Sequence, residues 1–272
     1  MKFLNKLYLF LLIILCFGQS VCAKNLKFVQ ITDSHFSSQS GGGYPQKVLE
    51  KTVKDINSIP NVDFVVFTGD NIDTANETDL IKFLKIANYL KYPYYVVIGN
   101  HEVFKSQNLD KKEYMRIVSK YSKNCRAKSA NYVFKKKGIV FLVVDGAKEV
   151  IPGPAGYYKK DILKWLDKKL TKYKGKEVVI FQHFPIIPPY YNRTHTTYNV
   201  ADYEAILKKH SNVVAIFSGH YHANGETRQD GIYHVSTPAL IVPPNDFKVI
   251  DMSVKGKKDC QIYTQLRHSE DI

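Results

Sequence analysis

Short apolar runs, each ending in a polar segment, recur along this chain from residue 24 onward. The runs are rich in Val, Ile, Phe and Tyr, and several are nearly continuous rather than alternating, which is typical of strands that are covered on both faces. We therefore predict buried strands at Leu26–Ile31, Phe64–Phe67, Tyr94–Ile98, Ile139–Val144, Val178–Phe181 and Val213–Phe217.

Helical patterns lie between these runs. Apolar residues share one face over Gln46–Ile59 and over Glu77–Lys91, and a third helix is predicted through Ile162–Leu170. Asp202 can cap a fourth helix that continues through Leu207. This alternation of strands and helices predicts an α/β protein with largely parallel central strands.

The C-terminal part of the chain has a different pattern, with short strands near Gly231–Ser236, Phe247–Ser253 and Gln261–Leu266 separated by turns. We predict that these strands are antiparallel additions to a second sheet. No linker rich in Pro or Ser divides the chain. We therefore expect one domain over residues 24–272.

The first 23 residues resemble a secretory signal peptide. Two lysines precede an apolar run over Leu7–Phe17, and Val21–Ala23 offers small residues before Lys24. The run is shorter than the ~20 residues that a membrane-spanning helix needs. We expect a secreted or periplasmic protein, and the alternative is a leader that is retained as a membrane anchor.

The net charge and the cysteines place only weak limits on the function. A net charge of +14 favours anionic partners, including phosphate esters and acidic membrane surfaces. Cys125 and Cys260 remain outside the predicted leader and could pair in an oxidising compartment, which the sequence leaves open.

Polar side chains follow five of the predicted strands, at the edge of the sheet where α/β proteins bind ligands. Two pairs have the same spacing, Asp33 with His35 and His220 with His222, so that on extended backbone each pair leaves one face and can hold one ion. The complete set of candidate metal ligands is Asp33, His35, Asp70, Asn100, His183, His220 and His222.

Seven such ligands are too many for one tetrahedral ion. They suit two ions roughly 3.5–4 Å apart that share one carboxylate. Imidazole nitrogens together with carboxylate and amide oxygens favour Zn, Mn, Fe or Co over soft copper. Gly69, Gly99 and Gly219 permit the sharp turns that bring these side chains together.

The arrangement resembles the calcineurin-like metallophosphoesterase superfamily, whose pattern is Asp-x-His, Gly-Asp-x-x-Asp, Gly-Asn-His-Asp/Glu, a lone His and Gly-His-x-His. The chain carries every part of it, as Asp33/His35, Gly69–Asp73, Gly99–Glu102, His183 and Gly219–His222. The resemblance implies two mixed β-sheets packed face to face as a sandwich with flanking helices, a four-layer α/β fold.

The resemblance also implies roles for the site residues. It assigns Asp33, His35 and His222 to one ion, and Asn100, His183 and His220 to the other, with Asp70 bridging both. The ions would be two divalent or trivalent transition metals (Mn, Fe or Zn), with a hydroxide between them attacking phosphorus. His101 would be the general acid or electrophile, and Asp73 would orient a neighbour such as His101.

The loop after His183 is rich in aromatic and polar residues, and Arg193 or His195 in it could contact the substrate. We predict an exported phosphoesterase acting on a phosphorylated small molecule or a phosphodiester. The alternatives are a cyclic-nucleotide phosphodiesterase, a nuclease, and a non-catalytic scaffold on this fold. Nucleic acid is the weaker partner, because we find no basic arm or aromatic stacking platform.

Overall fold

The computed structural model of the chain describes residues 23–39, 41–256 and 259–269. Apart from Ala23, the predicted leader lies outside the described residues. The strands are β1 (Lys24–Ile31), β2 (Phe64–Phe67), β3 (Tyr94–Val96), β4 (Tyr132–Lys136), β5 (Ile139–Val143), β6 (Val178–Phe181), β7 (Val213–Ser218), β8 (Gly225–Gln229), β9 (Ile232–Ser236), β10 (Asp246–Gly256) and β11 (Asp259–His268). The helices are α1 (Tyr44–Ser58), α2 (Glu77–Ala87), α3 (Lys111–Tyr121), α4 (Lys160–Lys172) and α5 (Val200–Lys209), with 3₁₀ turns at Gly41–Gly43 and Lys105–Gln107.

The six strands predicted between Leu26 and Phe217 are confirmed, each within two residues of its predicted ends. The prediction that Asp202 caps α5 is wrong, because this residue lies within the first turn of the helix. The helix begins earlier because the side chain of Asn199 at its start is held by the backbone of Tyr158, through a 3.0 Å bond from the Tyr158 N–H and a 2.7 Å bond to the Tyr158 carbonyl.

Two mixed sheets form the centre of the fold. The first has the strand order β11-β10-β1-β2-β3. The pairs β1–β2 and β2–β3 are parallel, and β10 pairs antiparallel with both β1 and β11. The second has the order β4-β5-β6-β7-β9-β8, with parallel pairing from β5 to β9 and antiparallel strands at both edges.

The predicted placement of the C-terminal strands is partly wrong. Only β8 and β9 join the second sheet, and β9 runs parallel to β7. The last two strands extend the first sheet instead, because β10 pairs with β1 along seven residues, from Lys24 opposite Val254 to Gln30 opposite Lys248. β10 can lie there because Val249 packs with the helix side of that sheet and Ile250 with the opposing sheet.

Three apolar clusters fill the three interfaces between four layers. In β1, Val29 packs in the cluster that contains α1, α2 and α3, whereas its neighbour Phe28 packs against the second sheet. The outer face of the second sheet packs against α4 and α5. Aromatic rings join the sheets, with the centroid of Phe64 lying 5.0 Å from that of Phe28 and 5.1 Å from that of Phe141.

The two cysteines outside the predicted leader do not pair. Cys125 belongs to the cluster beneath α1–α3 and Cys260 to the cluster between the sheets, and both are buried and free. Among the described helices, none combines the length and the apolarity needed to cross a bilayer.

A buried glutamine joins the two sheets at the edge where β1 and β7 end. The Gln30 amide donates to the Ser218 carbonyl of β7 at 3.0 Å and to the Thr68 hydroxyl at 3.0 Å. Its oxygen accepts a 2.8 Å bond from the hydroxyl of Thr237, which follows β9. The polar segments that the sequence predicts as a metal site begin directly after this connection.

Candidate metal centre

The structure brings six of the seven predicted ligands together in two groups, each drawn from both sheets. Within each group, one ligand atom per residue lies within 4.8 Å of the others. The groups are Asp33, His35 and His222, and Asp70, His183 and His220. A third group, His35, Asp73 and His101, shares His35 with the first. The carboxyl ends of both sheets therefore meet at one site.

The backbone at this site differs from the extended conformation that the spacing suggested. Asp33, His35, Asp70, His220 and His222 all have positive φ, between 39° and 72°. The prediction that each pair leaves one face of an extended strand is therefore wrong. Asp33 and His35 still lie in one ligand group, whereas His220 and His222 lie in different groups. Left-handed conformations cost free energy for residues other than Gly, and such strain concentrates at functional sites.

The two sheets approach each other closely at Gly219. A Cβ at this position would lie 1.8 Å from the Thr32 hydroxyl oxygen and 2.6 Å from Asp33 Oδ2. The space between the end of β7 and the end of β1 is therefore too small for any side chain. This contact lets the amide of His220 donate a 2.9 Å hydrogen bond to Asp33 Oδ2.

Asp33 presents one oxygen to the site and keeps the other bonded. The Thr32 hydroxyl donates to Oδ2 at 2.6 Å, in addition to the bond from the His220 amide. Oδ1 is buried without a hydrogen-bond partner and lies 3.3 Å from His222 Nε2. The bonded oxygen orients the carboxylate so that Oδ1 faces the candidate ligands.

Three imidazoles are held by their Nδ1 atoms, which leaves Nε2 directed at the centre. His35 Nδ1 lies 3.2 Å from Asp73 Oδ1, and His101 Nδ1 donates to the Asp73 backbone carbonyl. His183 Nδ1 donates to the Thr68 carbonyl at 2.9 Å, and its Nε2 lies 3.2 Å from Asp70 Oδ2. Such bonds set the tautomer and the ring orientation of a metal-binding histidine.

Asp73 thus differs from its predicted role in one respect. Its carboxylate lies against His35 rather than His101, and only its main chain holds His101.

Glu102 organises the backbone beneath the centre and was given no role from the sequence. Its buried carboxylate accepts hydrogen bonds from the backbone amides of Asp70 (3.1 Å), Gly99 (2.6 Å) and Asn71. It therefore joins the loop after β2 to the loop after β3. The signal was present, because Glu102 completes the Gly-Asn-His-Glu segment.

Unsatisfied polar atoms indicate that the site fits metal ions. Among the described residues, the buried side-chain atoms without a hydrogen-bond partner include Asp33 Oδ1, Asn100 Oδ1 and His220 Nε2. All three belong to predicted metal ligands. Buried polar atoms are rarely left unpaired, because losing water without a replacement costs free energy. Carboxylate, amide and imidazole donors in two adjacent groups suit two transition-metal ions.

The protonation states largely agree with metal binding. Burial would raise the pKa of the Asp70 carboxyl, but the charge and the hydrogen bond of His183 outweigh burial and hold this pKa well below its usual range. Burial and the neighbouring His183 lower the pKa of His220 to about 3, which keeps its imidazole neutral. Burial opposes protonation of His183 too, but Asp70 and Asp33 raise its pKa to about 10. A metal ion binding at His183 must therefore displace a proton.

A cavity of about 370 Å³ opens beside these residues. Its lining includes Asp73, Asn100, His101, Phe104, Pro152 and His195. The ring centroid of His195 lies 5.0 Å from that of His220, so this predicted substrate contact is at the site. Arg193, the other predicted substrate contact, is exposed and lies outside the lining of this cavity.

A family model described as calcineurin-like phosphoesterase matches residues 26–224. A probable glycerophosphodiester phosphodiesterase of Arcobacter nitrofigilis is 28% identical over 206 residues, which are 71% of this chain and 71% of that protein. The 3',5'-cyclic adenosine monophosphate phosphodiesterase of Haemophilus influenzae is 22% identical over 247 residues, 88% of this chain and 81% of that protein.

Solved structures show the same architecture. A dimetal phosphatase from Danio rerio superposes with a TM-score of 0.65 at 18% sequence identity, over 87% of this chain and 98% of that one. At this identity the likeness concerns the fold, and it confirms two mixed sheets with flanking helices.

Proposed function

Because the chain belongs to the calcineurin-like phosphoesterase family and is a metal-dependent phosphoester hydrolase, we propose that it hydrolyses small phosphodiesters outside the cytoplasm. The observation that carries this proposal is the pair of ligand groups at the carboxyl edge of both sheets, which contain buried ligand atoms without a hydrogen-bond partner. The names of the relatives from Arcobacter nitrofigilis and Haemophilus influenzae support a diester as the substrate.

In this proposal Asp33, His35 and His222 would hold one ion, and Asn100, His183 and His220 would hold the other. Asp70 would be a ligand of both. Two such ions would supply a hydroxide nucleophile near neutral pH and would neutralise charge on the phosphoryl oxygens.

His101 is proposed to meet the leaving group. Its Nδ1 is engaged by the Asp73 carbonyl, its Nε2 lies 4.0 Å from Asp70 Oδ2, and its side chain lines the open cavity at 38% exposure. From this position Nε2 can carry the proton that the departing oxygen needs, or donate a hydrogen bond to the phosphoryl group. His195, on the opposite loop, is proposed to contact the substrate from the same cavity.

The test is hydrolysis of bis-p-nitrophenyl phosphate, p-nitrophenyl phosphate, a glycerophosphodiester and cyclic adenosine monophosphate, with Mn or Zn and then with chelator. We expect chelator-sensitive turnover, faster on diesters, that is lost in Asp70→Asn and kept in Asp251→Asn, an exposed aspartate on β10. A folded protein that is inactive on all four substrates with every metal would favour the scaffold alternative.

Export is a separate part of the proposal and rests on the signal-peptide pattern of residues 1–23. N-terminal sequencing of the protein recovered outside the cytoplasm tests it. Lys24 as the first residue supports a cleaved leader, Met1 supports an anchor, and recovery only from the cytoplasm contradicts export.

A further inference from the structure

Exposed apolar side chains are concentrated in two segments. Among the described residues ten large apolar side chains are exposed, and six of them lie within residues 150–157 and 190–198. The most exposed of the six are Val150 (64%), Ile151 (79%), Tyr191 (85%) and Tyr198 (68%), which we call the apolar rim. Single exposed apolar residues are ordinary, whereas a concentration of them marks an interaction surface.

Both segments border the cavity at the candidate metal centre. Pro152, Gly153 and Pro154 line this cavity directly after Val150 and Ile151, and His195 lines it from the other segment. The Tyr190 hydroxyl donates a 3.1 Å bond to the carbonyl of Tyr221, which lies between the ligands His220 and His222. The two segments that carry the apolar rim therefore border the cavity at the site.

Hydrogen bonds hold the two segments against each other. The amide of Gly156 donates to the Thr196 carbonyl at 3.1 Å, and the amide of Tyr198 donates back to the Gly156 carbonyl at 3.0 Å. The Lys148 ammonium lies 5.4 Å from the centroid of the Tyr198 ring, which links the two sides again. The two segments that carry the rim side chains are therefore joined by backbone hydrogen bonds.

Basic side chains accompany the rim. The amide of Lys105 bonds the Glu149 carbonyl at 2.8 Å, which places this exposed lysine beside Val150. Lys111 binds two acids of this region, Asp145 through its ammonium and Glu149 through its backbone amide at 2.9 Å, whereas Asp161 is exposed. Exposed basic residues in and near the two segments include Lys105, Lys112, Lys128, Lys159 and Arg193.

We propose that the apolar rim docks the protein on an anionic lipid surface, so that the site hydrolyses phosphodiesters presented at that surface. This inference rests on the proposed function. Aliphatic and tyrosine side chains enter the interface between headgroups and acyl chains, and nearby lysines attract anionic headgroups. A nucleic acid fits less well, because its bases could stack only on Tyr191 and Tyr198, whereas Val150 and Ile151 offer no ring for stacking.

The experiment is co-sedimentation of the exported protein with vesicles of phosphatidylcholine alone and of equal parts phosphatidylcholine and phosphatidylglycerol. We expect binding to the anionic vesicles that weakens as salt is added. Ile151→Asp should lower the partition coefficient about tenfold, because it replaces apolar area with a charge that anionic lipids repel. Tyr191→Ser should weaken binding. Tyr89→Ser should not, because Tyr89 (78% exposed) lies beside the end of α1, where its carbonyl accepts a bond from Asn57.

The two proposals fail separately. Sedimentation needs no turnover, so Asp70→Asn should bind vesicles as the parent protein does, and every variant has the same N-terminus. If the protein does not bind vesicles, or if Ile151→Asp and Tyr89→Ser bind equally well, the proposal of a lipid-docking surface is wrong. The proposed hydrolysis of soluble diesters is unaffected by either result. If a single-stranded oligonucleotide binds more tightly and displaces the protein from vesicles, the apolar rim is a nucleic-acid surface and the lipid proposal is wrong.

Discussion

Single hydrogen bonds decide which atoms of this centre face a metal ion. The Thr32 hydroxyl and the His220 amide both bind Asp33 Oδ2, which leaves Oδ1 for an ion. Asp73 holds two imidazoles at once, His35 through its carboxylate and His101 through its main chain. The orientation of the ligands therefore depends on residues that are not ligands themselves.

Thr32→Val tests this dependence. Without the hydroxyl, Asp33 Oδ2 loses one of its two donors and the carboxylate is free to rotate, so metal affinity should fall about 10–100-fold. Titration calorimetry with Mn or Zn measures the change. Thr52→Val is the matched control, because its hydroxyl is equally buried but bonds Val48 and Ser269 in and beside α1. Equal affinity losses in the two variants would contradict the positioning role of Thr32.

A buried histidine away from the centre makes stability depend on pH. Burial lowers the pKa of His234 to about 4, from an ordinary value of 6.5, while Asp230 opposes this shift weakly. Between these pH values the unfolded chain binds more protons, so the stability contributed by neutral His234 is complete above about pH 6.5 and is lost as the pH falls toward 4.

His234→Gln should remove this contribution, up to about 3 kcal/mol between pH 7 and pH 4. Urea unfolding of both proteins across this range measures it, and the difference between the two free energies of unfolding isolates His234 from the other groups. A difference that does not change with pH would show that the histidine is not held neutral by burial.

The conformation of the ligand residues could not be predicted from the sequence. The polar segments after the strands identified the candidate ligands, but the left-handed φ of Asp33 and His35 depends on the backbone hydrogen bonds from their amides to Gly69 and Asp70 across the sheet. The bond from the His220 amide to Asp33 Oδ2 is also a product of packing, because it needs the close approach of Gly219.

At the scale of elements, the local sequence pattern predicted most strands. It did not predict the strand pairings that depend on residues distant in the chain. Helix α3 was overlooked although Asp110 caps it, accepting a 2.8 Å bond from the Glu113 amide, and Tyr114, Ile117 and Val118 form its buried face. This sequence pattern was sufficient to predict the helix. The sheet to which β10 belongs could not be predicted, because its partner β1 lies more than 200 residues earlier in the chain.

Gly219→Ala tests the contact between the ends of β1 and β7. The added methyl group would meet the Thr32 hydroxyl and the Asp33 carboxylate, so the edges of the sheets must separate, at a cost of about 1–3 kcal/mol in the free energy of unfolding. Denaturant unfolding measures this cost, and metal affinity should fall with it. Gly175→Ala is the control, because a Cβ there meets no atom within 4 Å. Equal stability of the two variants would contradict the close approach.

At the scale of the whole molecule, the candidate centre spans the interface between the sheets. Asp33, His35 and Asp70 come from the first sheet, and His183, His220 and His222 from the second. Ions held between them would connect the two halves of the fold in addition to the apolar cluster between the sheets. Metal binding and global stability should therefore be linked.

Metal should raise the free energy of unfolding by about 4 kcal/mol when its concentration is a thousandfold above the dissociation constant. Urea unfolding with Mn or Zn, and then with chelator, measures the difference. The gain should be smaller in Asp70→Asn and complete in Asp251→Asn. An unfolding curve that metal does not move would mean that the ions bind elsewhere or not at all.

The number of metal ions per chain tests the two-ion centre most directly. The protein is loaded with Mn or Zn, dialysed and assayed by atomic emission, beside Asp70→Asn. We expect about two ions per chain in the parent protein, and fewer in the variant because Asp70 lies between the two ligand groups. One ion or none in the folded parent protein, or equal loading of the two proteins, would contradict a two-metal phosphoesterase centre built on Asp70.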